Sequence, residues 1–460
     1  MTSTTMLTLV DGVRVVVPDS VHLITPYVLR EQLDWFEDEI KFVRRLLQPG
    51  QKVIDIGANY GIYTLSMAER VGPNGHVWAF EPASSTAKLL AESIAANGFT
   101  QVTLKRSAIS DAKGSARLSL NANSEMNALT RGRSSTGAGE TVPLATLDGC
   151  LETYGWRDID FVKIDAEGEE AAIVKGGKRF FAEMSPLVEY EVKAGPSLHL
   201  ELVQTFAARG YTSYRLTPGL DLLVPFDAAA PPDGFLLNLF CCKPDRASQL
   251  AARGFLMESI AAPMRGAALA GASHRWPHAL AGLPYAVQLV GLWNQTVAAG
   301  RSGAVEEALA LFALSRDSSL PAGERFLALE DSFGRFKTLC EREPSHLRRS
   351  SFARVALDYG ARSAAVAALK SLSEEFIRNK RVDLSEPFLA PSERFDSVSS
   401  GAALGDWIAS AVLEALERAG HYSSFYTGQA TRQRLELIRQ LGFGSAEMQR
   451  RSSLIQQRFG

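Results

Sequence analysis

The segment Val53-Ile54-Asp55-Ile56-Gly57-Ala58-Asn59-Tyr60-Gly61 carries an apolar strand through a carboxylate into a turn bounded by glycines. Such a turn suits a small charged ligand. Gly57 and Gly61 let backbone approach it closely, and the helix expected over residues 62 to 68 points its N-terminus at an anionic group. Glu81, twenty residues after Gly61, ends a second apolar strand, His76-Val77-Trp78-Ala79-Phe80. A carboxylate there accepts hydrogen bonds from two ribose hydroxyls. Dinucleotide enzymes place an acid in the same way, but their turn reads G-x-G-x-x-G, whereas this one reads G-A-N-Y-G with Asp55 two residues ahead. The missing middle glycine argues against a pyrophosphate, and Asp55 favours a cationic amine or sulfonium. S-adenosylmethionine carries both.

A second charged group, Lys163-Ile164-Asp165-Ala166-Glu167-Gly168-Glu169-Glu170, follows an apolar strand and reaches the carboxyl edge of the same sheet. Methyl transfer to a hydroxyl needs an acceptor oxygen in line with the methyl carbon and a base for its proton. Asp165 is the first candidate for that base, Glu167 the second, and Glu191 on the next strand the third. Crowding by Glu167 raises the proton affinity of Asp165, and Lys163, on the same strand face, opposes this if it points inward. The acids are also an oxygen-only ligand set for a hard cation such as magnesium, although nothing further in the sequence asks for a metal. Glu169 and Glu170 read as structural carboxylates meeting a helix dipole, and Asp148 as a cap or turn residue. His199 is the alternative base among the histidines. His22 and His76 carry no local signal, and Pro277 between His274 and His278 argues against a helical metal pair.

These segments, with others in one order, resemble the FkbM-type S-adenosylmethionine-dependent methyltransferases. The likeness spans residues 30 to 242. It includes D-x-G-A-N-x-G, A-F-E-P, Asn97, Ser107-Ala108-Ile109-Ser110-Asp111 with Gly114, Thr146-Leu147-Asp148, the Phe161 to Glu170 segment, and Pro186 with Glu191. The resemblance implies that Asp55, Gly57, Ala58, Asn59 and Gly61 line the methionine end, that Glu81 takes the ribose, and that Ser107 and Ala108 lie beside the adenine. It also implies methylation of a hydroxyl, commonly on a sugar or polyketide.

The elements needed to position these groups are those of an α/β fold, a doubly wound, mostly parallel seven-stranded sheet. Its strands are expected near 53–57, 76–80, 102–107, 160–164, 187–192, 211–216 and 235–242, the last two as an antiparallel hairpin. A hairpin over residues 7 to 17 with Asp11-Gly12 at its turn comes first, then one amphipathic helix through Leu29, Leu33, Phe36, Ile40, Val43 and Leu47. Residues 1–48 thus form an N-terminal hairpin and helix, 49–245 the methyltransferase domain, and 246–460 a separate all-α domain. The stretch 121–140, rich in Asn, Ser, Gly and Thr with Arg131 and Arg133, reads as a flap or a solvated loop. Beyond residue 245, helices are expected at 285–299, 304–314, 324–341, 347–359, 364–378, 404–419 and 431–442, weakly resembling a degenerate tetratricopeptide-like array. Residues 378–401 read as an exposed loop, and Arg450, Arg451 and Arg458 as a solvated helix face.

Composition, 46% hydrophobic and 22% charged with a formal net charge of -2, gives no affinity for nucleic acid. No run of eighteen apolar residues and no basic N-terminal leader occur, so neither a membrane span nor a signal peptide is expected, and the expected location is cytoplasmic. Cys150, Cys241, Cys242 and Cys340 have no C-x-x-C spacing and are expected as reduced thiols. The expected partner is a small-molecule or glycan acceptor, with a protein partner or self-association through the helical domain as a further option. Two other classes remain open: a non-catalytic scaffold working through its helical half with a vestigial cofactor fold, and a nicotinamide oxidoreductase.

Overall fold

The computed structural model describes residues 3–130, 138–194, 197–259, 276–378 and 384–460. The chain divides into two compact units, Met1–Leu216 with Leu223–Pro232 and Leu236–Glu258, and Thr217–Leu222 with Asp233–Phe235 and Ser259–Gly460.

The first unit is built on a sheet of eight strands, numbered in chain order: β1 (Lys52–Ile56), β2 (His76–Phe80), β3 (Val102–Lys105), β4 (Phe161–Ile164), β5 (Leu187–Glu191), β6 (Thr212–Thr217), β7 (Leu222–Pro225) and β8 (Asn238–Cys242). Their spatial order is β7-β6-β8-β5-β4-β1-β2-β3. Strands β1 to β5 pair in parallel, and β8 runs antiparallel to both β5 and β6. The expected β6–β8 pair is therefore present, but β7 adds an eighth strand at the edge. Its apolar run, Leu222-Leu223-Val224, is too short for periodicity to reveal. Strand order reverses between β1 and β4, so their carboxyl ends open a crevice at a topological switch point.

Alternation along each strand sends apolar side chains to two layers. Val53, Val77, Phe161 and Leu187 pack with Phe42, Val43, Leu65 and Met67 on one face. Ile54, Ile56, Phe80, Val162, Ile164 and Val188 pack with Leu147, Phe180, Phe181 and Phe206 on the other.

Three expectations change within this unit. The single helix through Leu29 and Leu47 is two helices, Ile24–Gln32 and Asp38–Leu46, because Leu33 takes a left-handed φ of 59° and Asp34 is drawn into a two-pronged pair with Arg44 at 2.7 and 2.8 Å. Strand β3 stops at Lys105. Ala108–Ile109 instead joins Gly139–Ala145, Gly114–Ser119 and Ala128–Thr130 in a separate four-stranded sheet. The stretch 121–140 is thus not a plain loop. It holds the 3-10 turn Ser124–Met126 and a strand, while Arg131 and Arg133 lie outside the described residues. The N-terminal hairpin pairs Thr4–Thr8 with Arg14–Pro18 around a five-residue connection in which Gly12 takes a φ of 87°.

The second unit is helical. Gly303–Ser315, Ala322–Arg342, His346–Tyr359, Arg362–Arg378 and Leu404–Gly420 follow one another, each packing on the next. Arg432–Leu441 and Ala446–Phe459 close the chain. Two expectations are corrected here. The described part of 378–401 is packed, not exposed, because Phe388, Leu389, Ala390 and Phe395 bury themselves against Tyr285, Trp293 and Trp407. Arg451 is not on a solvated face: it is 1% exposed and pairs with Glu417 and Glu447, while Arg458 stacks on Phe425 and donates to its carbonyl. Helix Trp276–Ala281 carries Pro277 in its first turn, where a missing N–H is tolerated, and His274 lies outside the described residues. All four cysteines are free thiols. No described helix is long and apolar enough to cross a membrane.

Candidate active site

The turn after β1 is fixed by backbone. Gly57 has a φ of 84°, and a Cβ there would lie 1.7 Å from the carbonyl oxygen of Asp165, so only glycine lets the ends of β1 and β4 meet. The amides of Gly57 and Ala58 both donate to the Phe80 carbonyl at 3.0 Å, that of Asn59 donates to Glu81 at 2.9 Å, and that of Gly61 to Ala58 at 2.8 Å. Four amides of the turn are therefore engaged within the protein. A pyrophosphate would need such amides free; a cationic ligand does not. Gly61, at φ 89°, meets Leu90 where a side chain would stand.

Glu81 ends β2 and is buried. Its oxygens accept from the amides of Asn59 and Ala83 at 2.9 and 2.8 Å, leaving acceptor capacity on each. Burial pushes its carboxyl up to about 7, against those two amide bonds. Asp55 is 1% exposed. One carboxylate oxygen accepts from Thr64 at 2.5 Å, and the other, Oδ1, has no hydrogen-bond partner. Burial raises its proton affinity and Lys163 opposes this. An unsatisfied buried carboxylate oxygen beside a turn with four of its five amides engaged suits a ligand bearing positive charge. Ser107 falls between β3 and the small sheet, and Ala108 opens that sheet's first strand and is buried.

At the end of β4, Asp165 pairs with Lys163 at 2.6 Å, so the lysine does point inward, with its side chain 5% exposed against 32% for Asp165. Glu167 takes a left-handed φ of 51°, as does Asn59 at 49°. Two non-glycine residues in that region flank one crevice, where such strain is found at working sites. Burial, then Asp165 and Glu170, push Glu167 up to about 8. Burial, then Asp165 and Glu167, push Glu191 up to about 10. Glu170 is structural, accepting from the amides of Ala166 and Gly168 at 2.9 and 3.2 Å. Glu169 accepts from Ser110, and Asp148 caps the helix Lys178–Glu183 through the Phe180 amide. His199 is exposed and paired with Glu201. Among the described residues no group of three or more His, Cys, Asp or Glu has the arrangement of a metal site.

The structure adds residues that motif reading misses. Ser124 donates to the Asn59 side chain at 2.8 Å, and Asn123 accepts from the Ile24 amide at 2.9 Å. Glu125 accepts from the amide and hydroxyl of Thr25. Burial pushes Glu125 up to about 7, with Asp165 adding to the rise. This strap carried no sequence signal beyond polarity. Glu189 did carry one, as an acid inside an otherwise apolar strand. It is fully buried, and the Tyr63 hydroxyl lies 2.9 Å from it and 2.8 Å from Glu37. A phenol has one proton to donate, so the two carboxyls compete for it, and burial raises the proton affinity of both.

The parallel order, the switch point and the engaged turn define a class I S-adenosylmethionine-dependent methyltransferase fold. Residues 55–213 match the family model of the methyltransferase FkbM domain, and S-adenosylmethionine is the cofactor. The chain is also similar to the protein-L-isoaspartate O-methyltransferase of Ignicoccus hospitalis, 38% identical over 58 residues, which is 13% of this chain and 28% of that protein. Among solved structures, a SAM-dependent methyltransferase from Aquifex aeolicus is 13% identical, covering 47% of this chain and 92% of its own, with a TM-score of 0.29. A SAM-dependent O-methyltransferase from Thermotoga maritima is 15% identical over 52% of this chain and 77% of its own, with a TM-score of 0.27.

Proposed function

We propose that the protein methylates a hydroxyl of a sugar, polysaccharide or related glycosylated acceptor, and that Asp165, Glu167 and Glu191 are the acids that serve the acceptor, one of them as its base. The observation that carries this reading is the meeting of two strand ends. The Asp165 carbonyl packs on Gly57, which brings the acids after β4 against the turn after β1. Bound at that turn, S-adenosylmethionine supplies an electrophilic methyl carbon whose transfer to oxygen releases one proton. Glu81 holds the ribose hydroxyls with the acceptor capacity its two amide bonds leave, and Asp55 faces the positive end. Ser107 and Ala108 border the adenine.

The acids at the strand ends have divided roles. Asp165 is held by Lys163 and orders the crevice, whereas Glu167, with its raised proton affinity, is matched to accept a hydroxyl proton near neutral pH. Glu191, pushed higher still, stands as a hydrogen-bond donor to the acceptor.

The reading is tested by incubating the pure protein with methyl-labelled cofactor and cell-envelope glycan extracts. Label in a sugar ether supports it, while label confined to protein or RNA added in parallel replaces the acceptor. Glu167→Gln should lower turnover by about 100-fold or more with cofactor binding kept within a few fold.

A further inference from the structure

Strand register sets Asp55, Lys163 and Glu189 side by side on β1, β4 and β5, one cation between two acids. All three are buried, at 1%, 4% and 0% exposure. The ammonium lies 2.6 Å from Asp165 Oδ2 and 4.5 Å from the centroid of the Tyr63 ring. Each flanking acid keeps one buried oxygen without a partner, Oδ1 of Asp55 and Oε2 of Glu189. Glu37, at the entry to helix Asp38–Leu46, and Glu167 and Glu191 beyond the strand ends also feel this lysine.

We propose that Lys163 is a positioning residue for the cofactor: its fixed positive charge anchors Asp165 against the Gly57 turn and opposes the burial that drives Asp55 to take up a proton, which keeps the turn anionic toward a sulfonium. This rests on the methyltransferase reading above. Without the lysine, buried Asp55 and half-buried Asp165, at the ends of neighbouring strands, lose the positive charge between them. They then relieve their repulsion and desolvation by binding a proton, and their charge follows pH.

S-adenosylmethionine and S-adenosylhomocysteine differ in the charge on sulphur, so the pair reports that charge by calorimetry without any acceptor. In the wild-type protein the ratio of their dissociation constants should shift by no more than a few fold between about pH 6 and about pH 8.5, the part that follows Glu81 and Glu167. In Lys163→Met the affinity for S-adenosylmethionine should fall about tenfold or more at the acidic end relative to the basic end, with S-adenosylhomocysteine nearly unchanged. A merely structural lysine would lower the melting temperature without imposing that slope, so a flat ratio in a folded Lys163→Met protein overturns the proposal. Should that variant fail to fold, Asp165→Asn decides: a selective loss of S-adenosylmethionine affinity at every pH supports the proposal, and an unchanged ratio sinks it. Wild-type protein that binds neither ligand removes the methyltransferase reading, and this inference with it.

Discussion

Gly57 and Gly168 both have left-handed backbone, yet their surroundings differ. A Cβ on Gly57 would overlap the Asp165 carbonyl, while one on Gly168 meets nothing within 4 Å. Gly57→Ala should therefore cost about 3 kcal/mol or more, and Gly168→Ala about 1 kcal/mol, the conformational strain alone. Denaturant titration of the two variants separates them, and equal losses would mean that the strand ends can part. Glu167 is the other residue whose role can be read at this scale. Its carboxyl gives up its proton near pH 8, so if it is the base, the methyl-transfer rate rises with pH to about 8 and then levels. Glu167→Gln should remove that limb from the pH profile. Sequence spacing made both positions visible. It did not show that Glu167 would sit at positive φ, because that depends on how β4 meets the turn after β1.

The strap over residues 123–126 is an element the sequence shows only as a polar stretch. Its side chains reach the glycine turn through Ser124 and the first helix through Asn123 and Glu125. Those partners lie 65 to 100 residues away along the chain. No local pattern encodes such pairings. One hydrogen bond of this kind contributes about 1 kcal/mol, so Ser124→Ala should speed cofactor release by about fivefold while leaving the melting temperature nearly unchanged. Stopped-flow displacement measures it, and an unaltered release rate would show that the strap does not hold the turn. The split of the first helix at Leu33 has a similar origin. The apolar spacing runs on through it, but Asp34 forms its pair with Arg44 and ends the helix.

Across the whole molecule, buried acids make opposite demands on pH. In the first unit the carboxyls of Glu81, Glu125, Glu167 and Glu191 lie at about 7, 7, 8 and 10, above an ordinary value of 4.5. The folded state thus holds protons that the unfolded chain would release. Their contribution is complete below about pH 4.5 and lost as pH rises through those values. In the second unit Glu447 is lowered: burial works against it, but Arg418 and Arg451 outweigh burial. Its contribution is present above about pH 4.5 and lost on acidification. Scanning calorimetry should find the first unit less stable at about pH 9 than at about pH 6, with Glu191→Gln reducing the difference. Arg451→Met, which takes the buried arginine from Glu417 and Glu447 while Arg434 and Arg418 still hold one oxygen of each, should destabilise the second unit by about 3 kcal/mol or less. No change in its transition would mean that those acids find water or protons instead.

The sequence by itself determined the parallel sheet, the glycine turn, the acids at the strand ends and the change to helices after the first unit. Each of these is written in local periodicity or in spacing along one stretch of chain. Tertiary structure decided what local pattern does not encode. It set Lys163 between Asp55 and Glu189, turned the Asp165 carbonyl onto Gly57, brought the strap to Asn59, and drew Arg451 inside to two acids. Strand register and burial govern these contacts, and both arise only when segments distant in sequence share one interior.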